Sequence, residues 1–273
     1  AVRAVGSAVL MLALALMFTG GAQAQGASVT SGYGPTETGF INNLGQWDPE
    51  ALFKLGNGGL DVLLTNEGFV YHAADLGLED PLLAPPEGPD PIEPDPDATI
   101  PNYAVRAEFV AGFSATVEGL GQLPGDYNWL VGPEERWVRG AHAYGAVRYA
   151  DVWPGVDVDV SPVRRLNATD ASGAAVMKTT YSLEAGADPA VIRLRYEGAE
   201  SLSVDDAGRL VIATPMGEIV EARPVAYQGA EEILASWVVE GDVASFGVGS
   251  YDPNRPLVID PIVMWASVFA GTS

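Results

Sequence analysis

The sequence contains no cysteine, and it is also poor in lysine. Without cysteine the chain has no disulfide framework, no thiolate metal site and no cysteine nucleophile. Lys54 and Lys178 are the only lysines, and 36 acidic residues outnumber 14 basic ones to give a formal net charge of −22. A surface of this sign repels phosphate backbones and anionic membranes, so we expect no nucleic-acid partner. It suits an acidic secreted protein, including one from a saline habitat where salt screens self-repulsion.

Sequence motifs of catalysis are missing as well. No G-x-S-x-G, H-E-x-x-H or phosphate-binding loop pattern occurs. The two histidines, His72 and His142, lack a metal-ligand spacing, and we predict surface or strand-end positions for them. Acidic residues are so numerous that residue type alone permits a glycosidase pair, which also needs a fixed separation and a cleft. We therefore predict no catalytic residue, no cofactor and no metal ligand, and we keep an exported polysaccharide hydrolase as the alternative.

Long apolar runs are missing apart from one near the start of the sequence. Ala8–Phe18 is apolar throughout but too short to span a bilayer, Arg3 precedes it, and Ala22-Gln23-Ala24 fits the small-x-small cleavage rule. We predict that residues 1–24 are a secretory signal peptide and that residues 25–39 are a flexible linker. The protein is then expected to be secreted or held at the cell surface, without stable membrane insertion after cleavage.

The sequence does contain many short runs in which apolar and polar residues alternate, and it has 32 glycines and 20 prolines, many of them between these runs. The clearest case is Tyr144–Val160, in which two alternating runs flank the corner Trp153-Pro154-Gly155. Side chains alternate across a strand, so each run predicts one apolar and one wet face. Such runs recur between turn signals over residues 40–262 and predict an all-β, antiparallel β-sandwich. A soft boundary near 161–175 suggests two β lobes.

One segment differs in kind from the rest. Residues 79–99 combine closely spaced proline with acidic charge only. Proline removes ladder donors and like charges repel, so we predict a disordered, solvated insertion between two strands. A calcium-responsive or partner-binding loop is the sharper alternative for this acidic, proline-rich segment.

Several polar residues could bind a ligand or be modified, but each also has a purely structural explanation. Asp157 and Asp159 on one strand face, or Asp205 and Asp206 in a turn, could hold Ca²⁺, but the EF-hand spacing is missing. We favour an outward strand face and a turn. The segment Asn167–Thr169 matches a glycosylation acceptor, a pattern that is common by chance.

The tryptophans permit two interpretations as well. They could build a platform on which sugar rings stack, although such residues more often pack in a core or along a sheet edge. The tryptophans concerned are Trp129, Trp137, Trp153, Trp237 and Trp265.

A family resemblance rests on five segments that occur in a fixed order. They are FINNLGQWDPEALF, YGAVRYADVWPGVDV, TYSLEAGADPAVIRLRYEGAESL, GRLVIATPMGEIVEARPVAYQ and YDPNRPLVIDPIVMWASVFAGTS. Together they resemble the N-terminal domain of unknown function of bacterial extracellular proteins that carry seven-bladed β-propeller (SBBP) repeats. The resemblance implies that propeller repeats begin near WASVFAGTS, so residues 263–273 are expected to be the start of a truncated repeat region. It implies no catalytic residues.

The leading hypothesis is a non-enzymatic structural or recognition module, secreted or at the cell surface, that precedes β-propeller repeats. Its expected partners are the downstream blades of the same chain and a glycan or another cell-surface component. A domain that helps the blades to fold or be exported is a third hypothesis.

Overall fold

The structure is a computed structural model, and it describes residues 39–57, 60–74, 102–114, 116–163 and 174–266. The predicted signal peptide, most of the predicted linker, the acidic insertion at 79–99 and the acceptor motif at Asn167–Thr169 lie outside the described residues. So does most of the predicted start of the propeller region. In the part of the chain that the structure describes, no helix is long and apolar enough to cross a membrane.

The described residues form strands joined by turns and short loops. Their helical turns are two short 3-10 helices, Glu134–Arg136 and Pro189–Val191. The strands of the first half are β1 (Phe40–Asn42), β2 (Phe53–Asn57), β3 (Leu60–Thr65), β4 (Gly68–Ala74), β5 (Asn102–Phe109), β6 (Thr116–Gln122), β7 (Tyr127–Trp129), β8 (Val138–Ala141), β9 (Ala143–Trp153) and β10 (Val156–Pro162). Those of the second half are β11 (Ala174–Leu183), β12 (Arg193–Glu197), β13 (Ser201–Val204), β14 (Leu210–Thr214), β15 (Gly217–Glu221), β16 (Val225–Gln228), β17 (Glu231–Ile233), β18 (Ala235–Glu240), β19 (Val243–Val248), β20 (Leu257–Asp260) and β21 (Ile262–Ala266).

The hairpin of β9 and β10 confirms the alternation predicted for Tyr144–Val160. Val156, Val158 and Val160 are fully buried, and the intervening aspartates are partly exposed. The chain reverses at Pro154-Gly155, where Gly155 has the positive φ of 71° that such a turn requires. A bulge shifts the register between the two strands because Asp151 adopts a φ of 50°.

The strands associate as one antiparallel sheet that curls into a nearly closed barrel, while β7 and β8 form a separate two-stranded sheet. From one end to the other, the pairing runs β13–β14–β15–β21–β11–β10–β9–β1–β2–β3–β4–β5–β12–β19–β18. β6 adds to β9, and β20 carries β16 and β17 beside β11. The end strands β13 and β18 lie next to each other.

The core lies inside this curled sheet and is rich in aromatic rings. Phe109 sits at the centre of edge-on contacts with Phe69, Tyr149 and Trp153, at centroid distances of 5.4, 5.5 and 5.2 Å. The Tyr149 hydroxyl donates to the Gly68 carbonyl oxygen at 3.3 Å, which joins β9 to the start of β4. A dense apolar interior explains how the domain holds together without disulfides.

The prediction of an all-β, antiparallel fold is confirmed. The predicted lobe boundary near 161–175 falls between β10 and β11, and these two strands pair with each other along their length. The sandwich arrangement and the two lobes stay predictions.

Candidate functional site

The two histidines lie in different surroundings. His72 sits in β4, paired in register with Asp61 of β3 and Ala104 of β5. His142 lies between β8 and β9, its backbone N–H donates to Asn42 Oδ1 at 2.7 Å, and its Nδ1 lies 3.2 Å from Asp126 Oδ1. Among the described residues, no group of three or more histidine or acidic side chains is placed to hold a metal ion.

Three acidic candidates, Asp157, Asp159 and Asp205, are engaged by the protein itself, and Asp206 is exposed in a turn. Asp159 accepts two hydrogen bonds of 2.7 Å from the Arg148 guanidinium, and Asp157 accepts the backbone N–H of Asp151 at 2.9 Å. The Asp205 carboxylate accepts hydrogen bonds from the side chain and from the backbone N–H of Arg209. These bonds hold the pKa of the Asp205 carboxyl below its usual range. These contacts match the interpretation of an outward strand face and a turn.

The tryptophans separate into two groups. Trp153 and Trp237 are buried, and each indole N–H donates at 3.0 Å to a backbone carbonyl, of Val110 and of Ala222. Trp129 and Trp137 are half-buried and lie on or beside the β7–β8 sheet. The side chain of Trp265 lies outside the described residues. Core packing is confirmed for Trp153 and Trp237, and a sugar-stacking platform stays a prediction.

A surface ring cluster forms where the β1–β2 loop meets the β7–β8 sheet. We define it as Trp47, Tyr127 and Trp129. The Trp47 ring meets Trp129 edge-on with centroids 5.2 Å apart, and Tyr127 stacks on Trp129 within 30° of parallel at 6.3 Å. Tyr127 and Trp129 are two residues apart on one strand, so alternation turns both toward the same side. Tyr127 is 38% exposed, which leaves part of its ring open to a ligand.

The ring cluster is braced from behind. The Lys54 ammonium lies 5.5 Å from the Trp47 ring centre and also pairs with Asp61 at 2.5 Å. A cation over an indole face is attracted by the ring quadrupole, and the carboxylate fixes that cation in place. The chain beyond Trp129 stays exposed, with Leu130 at 51% and Val131 at 71%. The result is an apolar, partly rigid surface on a strongly acidic protein.

A second polar cluster, which the sequence analysis missed, lies inside the barrel. Glu221 of β15 is 2% exposed, and the Tyr196 hydroxyl of β12 donates to its Oε1 at 2.5 Å. Tyr71 of β4 also hydrogen-bonds to Glu221, and Tyr181 of β11 lies within electrostatic range. We call these four residues the buried acid cluster. Because β4 and β12 stand in a different part of the sheet from β11 and β15, the cluster ties opposite walls together.

Burial decides the protonation of this cluster. Loss of water raises the pKa of Glu221 to about 7, against the lowering effect of the hydrogen bonds from Tyr196 and Tyr71. Burial, with the nearby Glu221 charge, raises the pKa of all three tyrosines well above the usual value, so they stay neutral donors. A signal for Glu221 existed in the sequence, since alternation from the buried Ile219 places residue 221 on the same inward face.

A family model described as a domain of unknown function, DUF7948, matches residues 40–262, which is most of the chain. The chain belongs to the DUF7948 family. Searches of curated proteins and of solved structures found no significant match. The resemblance to a domain of unknown function is confirmed, and the SBBP context stays a prediction.

The two clusters give the DUF7948 domain different chemical possibilities. The buried acid cluster is closed to solutes in this conformation because its carboxyl and hydroxyl groups are covered by the sheet. A substrate does not reach these groups in this conformation. The surface ring cluster lies beside the Asp126–His142 pair, and the ring of Tyr127 is accessible. Binding at the surface ring cluster is therefore the interaction that the described geometry supports best.

Proposed function

We propose that this DUF7948 domain is a non-enzymatic recognition module that works outside a bacterial cell, ahead of β-propeller repeats. The observation that carries the proposal is the surface ring cluster, in which Trp47 and Trp129 meet edge-on at 5.2 Å and Tyr127 remains 38% exposed. Half-exposed aromatic rings are common anchors of recognition surfaces because they combine a large apolar area with few rotatable bonds.

The extracellular location is part of the same proposal. Residues 1–24 have the composition of a secretory signal, and the acidic, cysteine-free chain is suited to export without disulfide formation. On this view the opposed walls of the sheet act as the two layers of a sandwich. The hydrogen bond between Tyr196 and Glu221 supports this, because it joins strands from both walls. The lobes would meet near 161–175, and the downstream blades of the chain would follow residue 262.

The proposal is tested by incubating the purified protein with a glycan array and with intact bacterial cells, and by running a glycosidase panel in parallel. We expect reversible binding to at least one surface or glycan and no turnover of any glycoside. Hydrolysis of a glycan by the protein would overturn the non-enzymatic part. A protein that binds neither cells nor any glycan would overturn the recognition role.

The hydrolase alternative gains no specific support from the described residues. A glycosidase needs two carboxylates facing each other across an accessible cleft. Glu221 is the acid whose pKa is raised to about 7, but it is buried, and the groups that shift it are tyrosines. We therefore do not advance the hydrolase as a second candidate function.

A further inference from the structure

We propose that the surface ring cluster binds an uncharged polysaccharide, with a sugar ring resting on the exposed part of Tyr127 and Trp129 stacked behind it. This inference rests on the proposed recognition function and names its ligand class and its site. The ring cluster, its bracing groups and the charges around it carry the inference.

The first step is the match between the rings and the faces of a sugar. The C–H groups on one face of a pyranose are apolar and weakly positive, and the face of an aromatic ring is negative, so the two stack favourably. Tyr127 stacks on Trp129 with ring centroids 6.3 Å apart and an interplanar angle of 30°, so each ring covers part of the other. The exposed part of Tyr127 is therefore the surface on which a sugar unit can rest, and Trp129 supports that ring from its other side.

The second step is the fixed geometry of the site. Trp129 rests edge-on against Trp47, Trp47 is covered by the Lys54 ammonium at 5.5 Å, and Lys54 is held by Asp61. β7 is held to β8 by backbone pairing, and the Asn128 side chain accepts the Gly140 N–H at 3.0 Å. Groups that are already ordered lose little conformational entropy when a ligand binds. The cluster is thus prepared for a ligand that offers flat apolar faces.

A polar group also lies at the rim of the surface ring cluster. Asp126 directly precedes Tyr127, and its carboxylate is 62% exposed. One of its oxygens lies 3.2 Å from His142 Nδ1, which is itself buried and makes no hydrogen bond of good geometry within the described residues. A carboxylate at the rim of an aromatic surface accepts hydrogen bonds from sugar hydroxyls, which fixes the orientation of the ligand.

The charges on the protein disfavour a charged polymer as the ligand. The protein carries a formal net charge of −22, so a polyuronate or sulfated chain is repelled as it approaches. Lys54, the cation that contacts the cluster, is already paired with Asp61 and covered by the Trp47 ring. Asp126 would add repulsion to any carboxylate placed over Tyr127. An uncharged chain avoids both costs and still offers hydroxyl donors.

The test measures binding of three six-sugar probes to the protein by titration calorimetry: cellohexaose and laminarihexaose, which are uncharged, and a galacturonic acid hexamer. We expect at least one uncharged probe to bind. Trp129→Ala is expected to weaken that binding about tenfold or more, because Tyr127 then loses the ring on which it stacks. Phe113→Ala is the matched control, since Phe113 is an aromatic residue that is 54% exposed on a different loop, and it should leave binding within about twofold.

The outcomes separate this inference from the proposed function. Equal binding by Trp129→Ala, with an unchanged melting temperature, overturns the site. Preference for the galacturonic acid hexamer, or binding of a protein in place of both uncharged probes, overturns the ligand class and leaves the recognition role intact. Absence of binding to cells and to every glycan overturns both. Tyr127→Ala provides a second variant at an exposed position if Trp129→Ala lowers the melting temperature.

Discussion

Aromatic residues gather around polar groups in two regions of this molecule, with opposite consequences. Inside the barrel, Tyr71 and Tyr196 are fully buried and direct their hydroxyls to Glu221. Outside, Tyr127 and Trp129 stack on each other and leave part of their surface in water. In the buried acid cluster the ring area is already covered by the protein, so burial of these rings stabilises the folded state. In the surface ring cluster, area remains for a ligand to cover.

The largest expected effect contrasts a tyrosine of each region. Tyr196→Ala should lower the free energy of unfolding by about 3–5 kcal/mol, because it opens a cavity and removes a donor from a buried acid. Tyr127→Ala should change it by less than about 1 kcal/mol, because the residue lies at the surface. Urea denaturation of both variants measures the difference. Similar losses of unfolding free energy in the two variants would show that Tyr127 contributes to folding as much as Tyr196 does.

The second effect is a pH dependence that belongs to the interior alone. Glu221 has a pKa of about 7 in the folded protein against an ordinary 4.5, so between these values only the folded state keeps the proton. Raising the pH through this window therefore favours unfolding, by about 1.4 kcal/mol per pH unit. Below the window both states are protonated, and above it neither is, so the dependence is confined to it.

Glu221→Gln isolates that contribution from the other acidic groups. The stability difference between the natural protein and this variant should shrink or reverse as the pH rises from 4.5 to 7, and stay level above that. The measurement is the urea midpoint of both proteins at several pH values. A difference that does not vary with pH would mean that Glu221 titrates as an exposed acid does.

A smaller effect is expected when only one hydroxyl is removed from the interior. Tyr196→Phe keeps the ring and deletes the 2.5 Å bond to Glu221. The loss should be about 1–3 kcal/mol at pH 8, where the charged carboxylate most needs its donor, and less at pH 5. Because that bond lowers the pKa of Glu221, its removal should also move the pH-dependent window upward. A loss that is equal at both pH values would argue against a charged partner.

The smallest effect concerns the bracing of the surface ring cluster. Lys54→Met keeps an unbranched apolar side chain but removes the charge over Trp47 and the pairing with Asp61. We expect a change in unfolding free energy of no more than about 1 kcal/mol. Tryptophan fluorescence should nevertheless shift, since Trp47 and Trp129 lose a fixed neighbour. Unchanged fluorescence would indicate that Lys54 does not hold the rings.

Much of the strand pattern followed from local rules. The alternation around Val156, Val158 and Val160 and the turn at Pro154-Gly155 were readable because side-chain direction in a strand has a period of two. The hairpin of β3 and β4, with its turn after Thr65, follows the same rule. Glu221 was missed because an acidic residue was assumed to face water, although its position relative to Ile219 placed it inward.

The site was less accessible from the sequence. Trp129 and Trp153 look alike in sequence, each lying in a short apolar run, yet one is half-buried at the surface and the other is 2% exposed. Which of them faces a ligand depends on whether another layer of sheet covers the strand. That coverage is a contact between residues distant in the chain, and no local pattern reports it.

By itself, the sequence determined the acidic charge, the lack of cysteine chemistry and the two-residue rhythm from which antiparallel strands form, since each depends on residue type and on neighbours along the chain. The tertiary structure decided which partners those strands meet. Curling of the sheet brought Tyr71, Tyr196 and Glu221 together in its interior. Contact between the β1–β2 loop and the separate β7–β8 sheet set Trp47 against Trp129 outside it. The interior meeting depends on closure of the barrel, because only closure makes distant strands into opposite walls.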